Sequence, residues 1–297
     1  MSERSSNATG RAERAGAGAM PACPALVGIV NITADSFSDG GRFLDPEAAL
    51  AQGRRLAADG ADLVELGAAA SNVAAAPVGA EEEIRRLEPV LAALAADGIA
   101  LSVDSYEPAV QRWALGRGVA MLNDIHGFPE PALYPELATA DCRLVVMHAV
   151  QQRGRASRED LSADEVWARL GAFFRERIAA LRGAGIARER LVLDPGMGFF
   201  LSTRPEASLR ALAGIGALKA EFGLPVLISV SRKSFLGAVS GRSDAAQRGA
   251  ATLAAELFAA ARGADYIRTH DPGALRDALR VTAALETDAA RTDPISA

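Results

Sequence analysis

Eight short apolar runs alternate with eight longer amphipathic ones, and this strict alternation limits what the chain can fold into. The runs at 25–30, 62–67, 100–104, 120–123, 143–147, 191–194, 225–230 and 266–269 have the length of strands. Helical segments are expected to open near Pro46, Ala80, Glu107, Pro131, Ser162, Pro205, Asp244 and Pro272, several of them on a Pro or Asp that suits a helix start. Strands separated by helices pair in parallel, and eight such units close most simply into a (β/α)8 or TIM barrel, a single α/β domain. An open doubly wound sheet is the competing architecture. The barrel is favoured because polar residues stand at the carboxyl ends of the runs: Asn31, Glu65, Asp104, Asn123, His148, Asp194, Lys233, Arg268 and His270. A barrel gathers those ends on one rim, whereas an open sheet spreads them over several helix widths.

No linker divides the 297 residues, so 25–290 reads as the barrel, with a disordered tail over 1–24 and a short C-terminal tail over 291–297. The first tail has no apolar run of the kind a signal peptide needs, Glu3 and Glu13 oppose a transit peptide, and Met20 is an alternative start. With 49% apolar residues the chain can bury a large core, yet no stretch is long enough to span a bilayer, so no membrane partner is expected. Cys23 and Cys142 are the two cysteines, which points to no disulfide and to a reducing cytoplasm. A net charge of −5 argues against nucleic acid as a partner, but a small anionic substrate needs only a local positive pocket.

Within "LVLDPGMGFF" an apolar run ends on Asp194 and passes into a Pro and Gly turn, as a strand does when it delivers a carboxylate to a rim. An acid that merely starts the turn or caps the next helix would look the same. Asp104 in "LSVDSY" and Asn123 in "LNDIHG" extend the pattern. Two carboxylates and an amide match the edge of a flat nitrogen heterocycle better than a sugar or a fatty acid. Carboxylates also hold divalent ions, although the three His residues lack zinc-site spacing. "SVSRKSF" brings Arg232, Lys233 and Ser234 after the seventh run, and "YIRTHDP" puts Arg268 and His270 two apart, facing the same way. Alone, each cation reads as a solvated rim charge. Beside Asn31 they read together as an anion pocket, at the usual phosphate position of such barrels. The loop "NITADSFSDGGRF" suits either a lid or a static surface loop.

"GIVNITADSFSDGG", "SVDSY", "LNDI", "VVMH", "LDPGMGF", "SVSRKSFLG" and "YIRTHD" stand in the order and at about the spacing of dihydropteroate synthases, and the chain resembles that family over about residues 26–285. The resemblance implies condensation of 6-hydroxymethyl-7,8-dihydropterin diphosphate with p-aminobenzoate to dihydropteroate and diphosphate, with Mg2+, in a homodimer joined through helices of the last units. By position it assigns Asp104, Asn123, Asp194 and Lys233 to the pterin, with Met147 near the ring. Asn31, Arg268 and His270 fall to the diphosphate, Asn31 also near the magnesium. Ser234 and Phe199 fall to the p-aminobenzoate side, and Asp35 to a loop residue that approaches the reaction centre. Such a reaction needs no protein nucleophile. The leaving-group charge would be met by Mg2+, Arg268, His270 and Lys233.

The chain departs from the family where "GGESTRPGA" is usual. Here it reads "GAAASNVAAAP", with Ser71 for Thr, Asn72 for Arg and Val73 for Pro. "GFFL" replaces "GFGK", putting Phe200 in place of Gly, and Ser229 replaces a Gly beside the pterin residues. "ALYPELATADCRLVVMH" and "LDPGMGFFLS" are similar to the acquired sulfonamide-insensitive dihydropteroate synthases. A p-aminobenzoate pocket narrowed by Phe200 is therefore expected. The competing readings are a non-catalytic pterin-binding paralogue and a pterin-dependent methyltransferase, the latter having no use for an anion pocket.

Overall fold

The computed structural model describes residues 23–33, 45–70, 78–151 and 158–289. Runs dominated by Val, Ile and Leu form strands covered on both faces, and each hands over to a helix that packs outside it. In chain order the units are β1 Ala25–Asn31 and α1 Pro46–Ala58, β2 Leu63–Gly67 and α2 Ala80–Ala96, β3 Leu101–Asp104 and α3 Pro108–Leu115, then β4 Met121–Asp124 and α4 Tyr134–Thr139. The second half runs β5 Arg143–Met147 and α5 Ala163–Gly183, β6 Leu191–Asp194 with α6 Pro205–Ala213 and α7 Ile215–Phe222, β7 Leu227–Ile228 with α8 Ser234–Ser240 and α9 Gly249–Ala261, and β8 Tyr266–Thr269 with α10 Pro272–Ala289.

The strands pair in parallel in the order β6-β5-β4-β3-β2-β1-β8-β7. The ring closes where the Leu193 amide donates to the Pro225 carbonyl at 2.8 Å and Leu193 bridges Val226. This is the expected barrel. β7 is shorter than the run at 225–230 suggests because Pro225 has no amide to donate and the Val226 amide turns to the Asp265 side chain at 2.8 Å.

Side chains alternate across each strand, which makes the barrel interior a stack of layers. Val27, Met121, Val145, Val192 and Leu227 fill the lower interior with Leu63 and Tyr266 against them. Two residues further along the same strands, the inward positions become Glu65, Asn123, Met147, Asp194, Ser229 and Arg268. Polar groups thus dominate the layer nearest the rim, with Met147 on β5 and Ile29 on β1 as its apolar members. Outward residues such as Leu26, Val64, Leu122, Val146 and Leu193 join the larger core under the helices.

Helix starts follow their predicted signals where a cap is present. Asp45 caps α1 by accepting from the Glu47 amide at 3.2 Å, and Ser162 with Glu165 forms a capping box on α5. Three units differ from expectation. Pro131 opens a 3-10 turn that leads into α4, the sixth unit carries two helices, and Asp244 caps a short 3-10 turn before α9 rather than the seventh unit's first helix. That first helix is α8, which ends at Gly241 in the left-handed region at φ 72.

Candidate active site

The rim side of the interior opens into a hollow lined by Asp104, Asn123, Ile125, Met147, Asp194, Phe200, Ser229, Lys233 and Arg268. Each acceptor is placed by the way its strand ends. Asp194 leaves β6 into Pro195 and Gly196, whose φ is 73, and the Gly196 amide donates to Asp194 Oδ1 at 2.8 Å. A Cβ at Gly196 would lie 2.3 Å from the His148 carbonyl oxygen, so only glycine fits this turn. Burial raises the Asp194 carboxyl to about 6, opposed by the charge of Lys233 and the Gly196 amide.

Asp104 and Asn123 face one another across the β3–β4 register, and Met147 stands beside Asp194 across β5–β6. Asn123 is buried and its Nδ2 donates to Glu65 Oε2 at 3.4 Å, while its Oδ1 accepts no hydrogen bond. Burial first, and then the neighbouring Glu65 charge, pushes the Asp104 carboxyl up to about 7 against the pull of Arg268. Arg268 donates through Nη2 to Asp104 Oδ2 at 3.1 Å and through Nε to Glu65 Oε1. The guanidinium expected to stand over an anion is therefore already braced by two carboxylates.

Lys233 follows Arg232, which is left-handed at φ 59. That backbone is held from both sides: the Arg232 amide donates to Thr252 Oγ1 at 3.0 Å, and its carbonyl accepts from buried Arg248 at 2.8 Å. The Lys233 ammonium lies 5.2 Å from the centre of the Phe200 ring and 3.5 Å from the Met197 carbonyl. Burial lowers its pKa to about 8, with Asp194 acting in the opposite sense. His270 lies two residues beyond Arg268 and outside the lining of the hollow, with Nδ1 2.9 Å from Ser231 Oγ and Nε2 buried without a partner. Burial, Arg232 and Arg268 push the ring down to about 3, so it is neutral near pH 7 and offers a hydrogen bond, not the charge expected of it.

The remaining predicted residues divide. Asn31 ends β1 with its side-chain oxygen over Gly67, where a Cβ would meet it at 3.9 Å. Phe200 lines the hollow, but Phe199 does not; the Arg158 guanidinium lies over its ring at 5.6 Å. Ser234 opens α8 beside Gly198 and is also absent from the lining. Asp35 and Ser71 lie outside the described residues. His148, expected on the shared rim, shares the outward phase of Leu144 and Val146 and packs edge-on against Phe173 at 5.2 Å. Ile125 also lines the hollow, though nothing in the sequence marks it, and Glu65, a rim group by sequence, joins the site through its bonds to Arg268 and Asn123. A carboxylate at an inward strand position in "VELG" was the signal for the latter. Among the described residues no group of three or more His, Cys, Asp or Glu is arranged to hold a metal, and no helix is long and apolar enough to cross a membrane.

Three oxygen acceptors, two cations and an apolar wall around one opening can hold the hydrogen-bonding edge of a planar heterocycle and an attached anion. Comparison with known proteins agrees with that chemistry. The family model described as pterin binding enzyme matches residues 27–270. Dihydropteroate synthase type-2 of Escherichia coli is 61% identical over 264 residues, covering 89% of this chain and 97% of that protein. Two structures of the Xanthomonas albilineans dihydropteroate synthase also superpose on it, each covering 89% of this chain and 94% of that one. The form with 4-aminobenzoic acid has a TM-score of 0.80 at 41% identity, and the form with 7,8-dihydropteroate has 0.74 at 37%. The chain belongs to the dihydropteroate synthase family of pterin binding enzymes.

Proposed function

We propose that dihydropterin diphosphate and p-aminobenzoate meet in this hollow, with the pterin edge on Asp104, Asn123 and Asp194 and the diphosphate toward Lys233, Arg268, His270 and Asn31. The observation that supports this most is the convergence of two carboxylates, an unpartnered amide oxygen and two cations on one opening at the carboxyl ends of the strands. As a member of its family the chain joins the two substrates into dihydropteroate and diphosphate in folate biosynthesis. The bond from the pterin methylene to the diphosphate oxygen breaks, the amine nitrogen bonds to that carbon, and the nitrogen gives up a proton. Lys233 and Arg268 would neutralise charge on the departing diphosphate, and the neutral His270 ring, its Nδ1 on Ser231, would direct Nε2 to a phosphate oxygen. Met147 would cover the pterin ring. Ser234 and Phe199 would bound the p-aminobenzoate side, and Asp35 and Ser71 are assigned to the reaction by the family resemblance alone.

Mg2+ is part of this reading. An ion carried on the substrate would draw most of its ligands from phosphate and water, as Mg2+ commonly does, and Asn31 would add one neutral amide oxygen. Bound there, it would add positive charge at the leaving group.

Phe200 carries the proposal of reduced sulfonamide sensitivity. It lines the hollow, and a sulfonyl group is bulkier than the planar carboxylate of p-aminobenzoate. Overpacking of about 1–3 kcal/mol corresponds to roughly tenfold to hundredfold discrimination. A turnover assay with both substrates and Mg2+, with and without a sulfonamide, should give product that the drug scarcely reduces, and Phe200→Gly should restore inhibition. No product from folded protein would favour the non-catalytic paralogue, and unchanged inhibition in the variant would remove Phe200 from the explanation. The proposed protein partner is a second copy of the chain through α9 and α10, where Phe258, Val281 and Leu285 stand exposed. Light scattering should report a dimer mass, and a monomer at assay concentrations would contradict it.

A further inference from the structure

Glu65 has no exposed surface and lies below the hollow rather than in its lining. Its carboxylate nevertheless ties three other strands to β2. Oε1 accepts from Arg268 Nε on β8. Oε2 accepts from Ser102 Oγ on β3 at 3.0 Å and from Asn123 Nδ2 on β4 at 3.4 Å. Through the other end of Arg268 the network reaches Asp104 at 3.1 Å.

An ionised carboxylate only accepts, so its partners must turn donors toward it. For Asn123 that choice is consequential. With the amide NH2 committed downward, Oδ1 is the group left over, and it is buried with no donor of its own. For Arg268, the Nε edge is committed to Glu65 and Nη2 to Asp104. We propose that Glu65 is a positioning residue for pterin recognition: from beneath the site it sets which end of the Asn123 amide and which edge of the Arg268 guanidinium meet the substrate. This rests on the assignment of Asn123 and Arg268 to the pterin diphosphate.

Glu65→Gln tests it with little change in volume. A glutamine oxygen can still accept from Arg268, but its NH2 then meets the donors of Ser102 and Asn123. The serine hydroxyl can rotate to accept. Asn123 has to turn over, sending a donor where an acceptor stood. The KM for dihydropterin diphosphate should rise about tenfold or more while that for p-aminobenzoate moves less than about twofold, the size expected for leaving a buried donor of one substrate without its acceptor. Adding Asn123→Asp to Glu65→Gln keeps the net charge, accepts from the new NH2 and returns an acceptor to the hollow. The double variant should recover most of the lost pterin affinity, whereas Asn123→Asp alone, which sets one carboxylate against another, should bind pterin more weakly than the double variant.

An unchanged pterin KM in folded Glu65→Gln, or equal shifts for both substrates with no recovery in the double variant, would overturn the proposal and leave Glu65 a structural counter-ion. Where Glu65→Gln alone does not fold, the double variant against Asn123→Asp decides: tighter pterin binding supports the proposal, equal or weaker binding overturns it. Asn123→Ala separates the two levels. If it leaves pterin binding intact, the assignment of the site is what fails.

Discussion

Asp194 and Asp104 are carboxylates held in a place that disfavours their charge, and the same unfavourable burial suits them to a ligand that brings donors. Burial raises them to about 6 and about 7. Each therefore holds its proton more tightly folded than unfolded. Its contribution to stability is complete below the ordinary carboxylate range and is lost as the pH rises through about 6 to 7. Pterin N–H donors favour the ionised form, so affinity should climb over the same interval. Calorimetry with the hydroxymethyl pterin, which lacks phosphates that would titrate, should show binding strengthening between about pH 5 and 8 as these groups ionise. Affinity that is flat across that range would mean that neither carboxylate accepts from the ligand in its charged form.

At the scale of single elements, the turn after β6 holds the site in place. Gly196 is left-handed, its amide fixes Asp194, and its α-carbon faces the His148 carbonyl with no room for a methyl group. Gly196→Ala should cost about 2 kcal/mol or more from backbone strain and the close approach together. Thermal unfolding should show a lower midpoint, and the residual folded protein should bind pterin poorly. An unchanged midpoint would mean that the turn relaxes without penalty. This element was legible in the sequence because an apolar run, an acid and a Pro-Gly pair say strand, rim and turn in order. Other features were not. The division of the seventh unit into α8 and α9 depends on Gly241 turning left-handed and on buried Arg248 bonding the carbonyls of Arg232, Arg242 and Ser243, which are tertiary contacts. His148 stands at the carboxyl end of β5 as expected, but a polar residue at a strand end looks the same whichever way it faces. Only its phase relative to Leu144 and Val146 turns it toward Phe173.

Across the whole molecule, the barrel interior changes character within one layer, from Val27, Met121, Val145, Val192 and Leu227 to the polar groups above them. The lower layer keeps the ring closed, and the upper layer is placed by the register of eight strands that each contribute an end. Which strand ends would converge could be read from their number and order. How they would be wired could not, because the links from Glu65 to Arg268 and from Arg268 to Asp104 span more than 160 residues and depend on closure of the ring. The account stands on the claim that this upper layer recognises a pterin. The most direct measurement is calorimetric binding of dihydropterin diphosphate to the parent chain and to Asp194→Asn, with folding of both checked by circular dichroism. Loss of a charge-assisted acceptor should weaken binding by about 1.5–3 kcal/mol, roughly tenfold or more, with the fold intact. Equal affinity in the two proteins would contradict the account and leave Asp194 as the start of a turn.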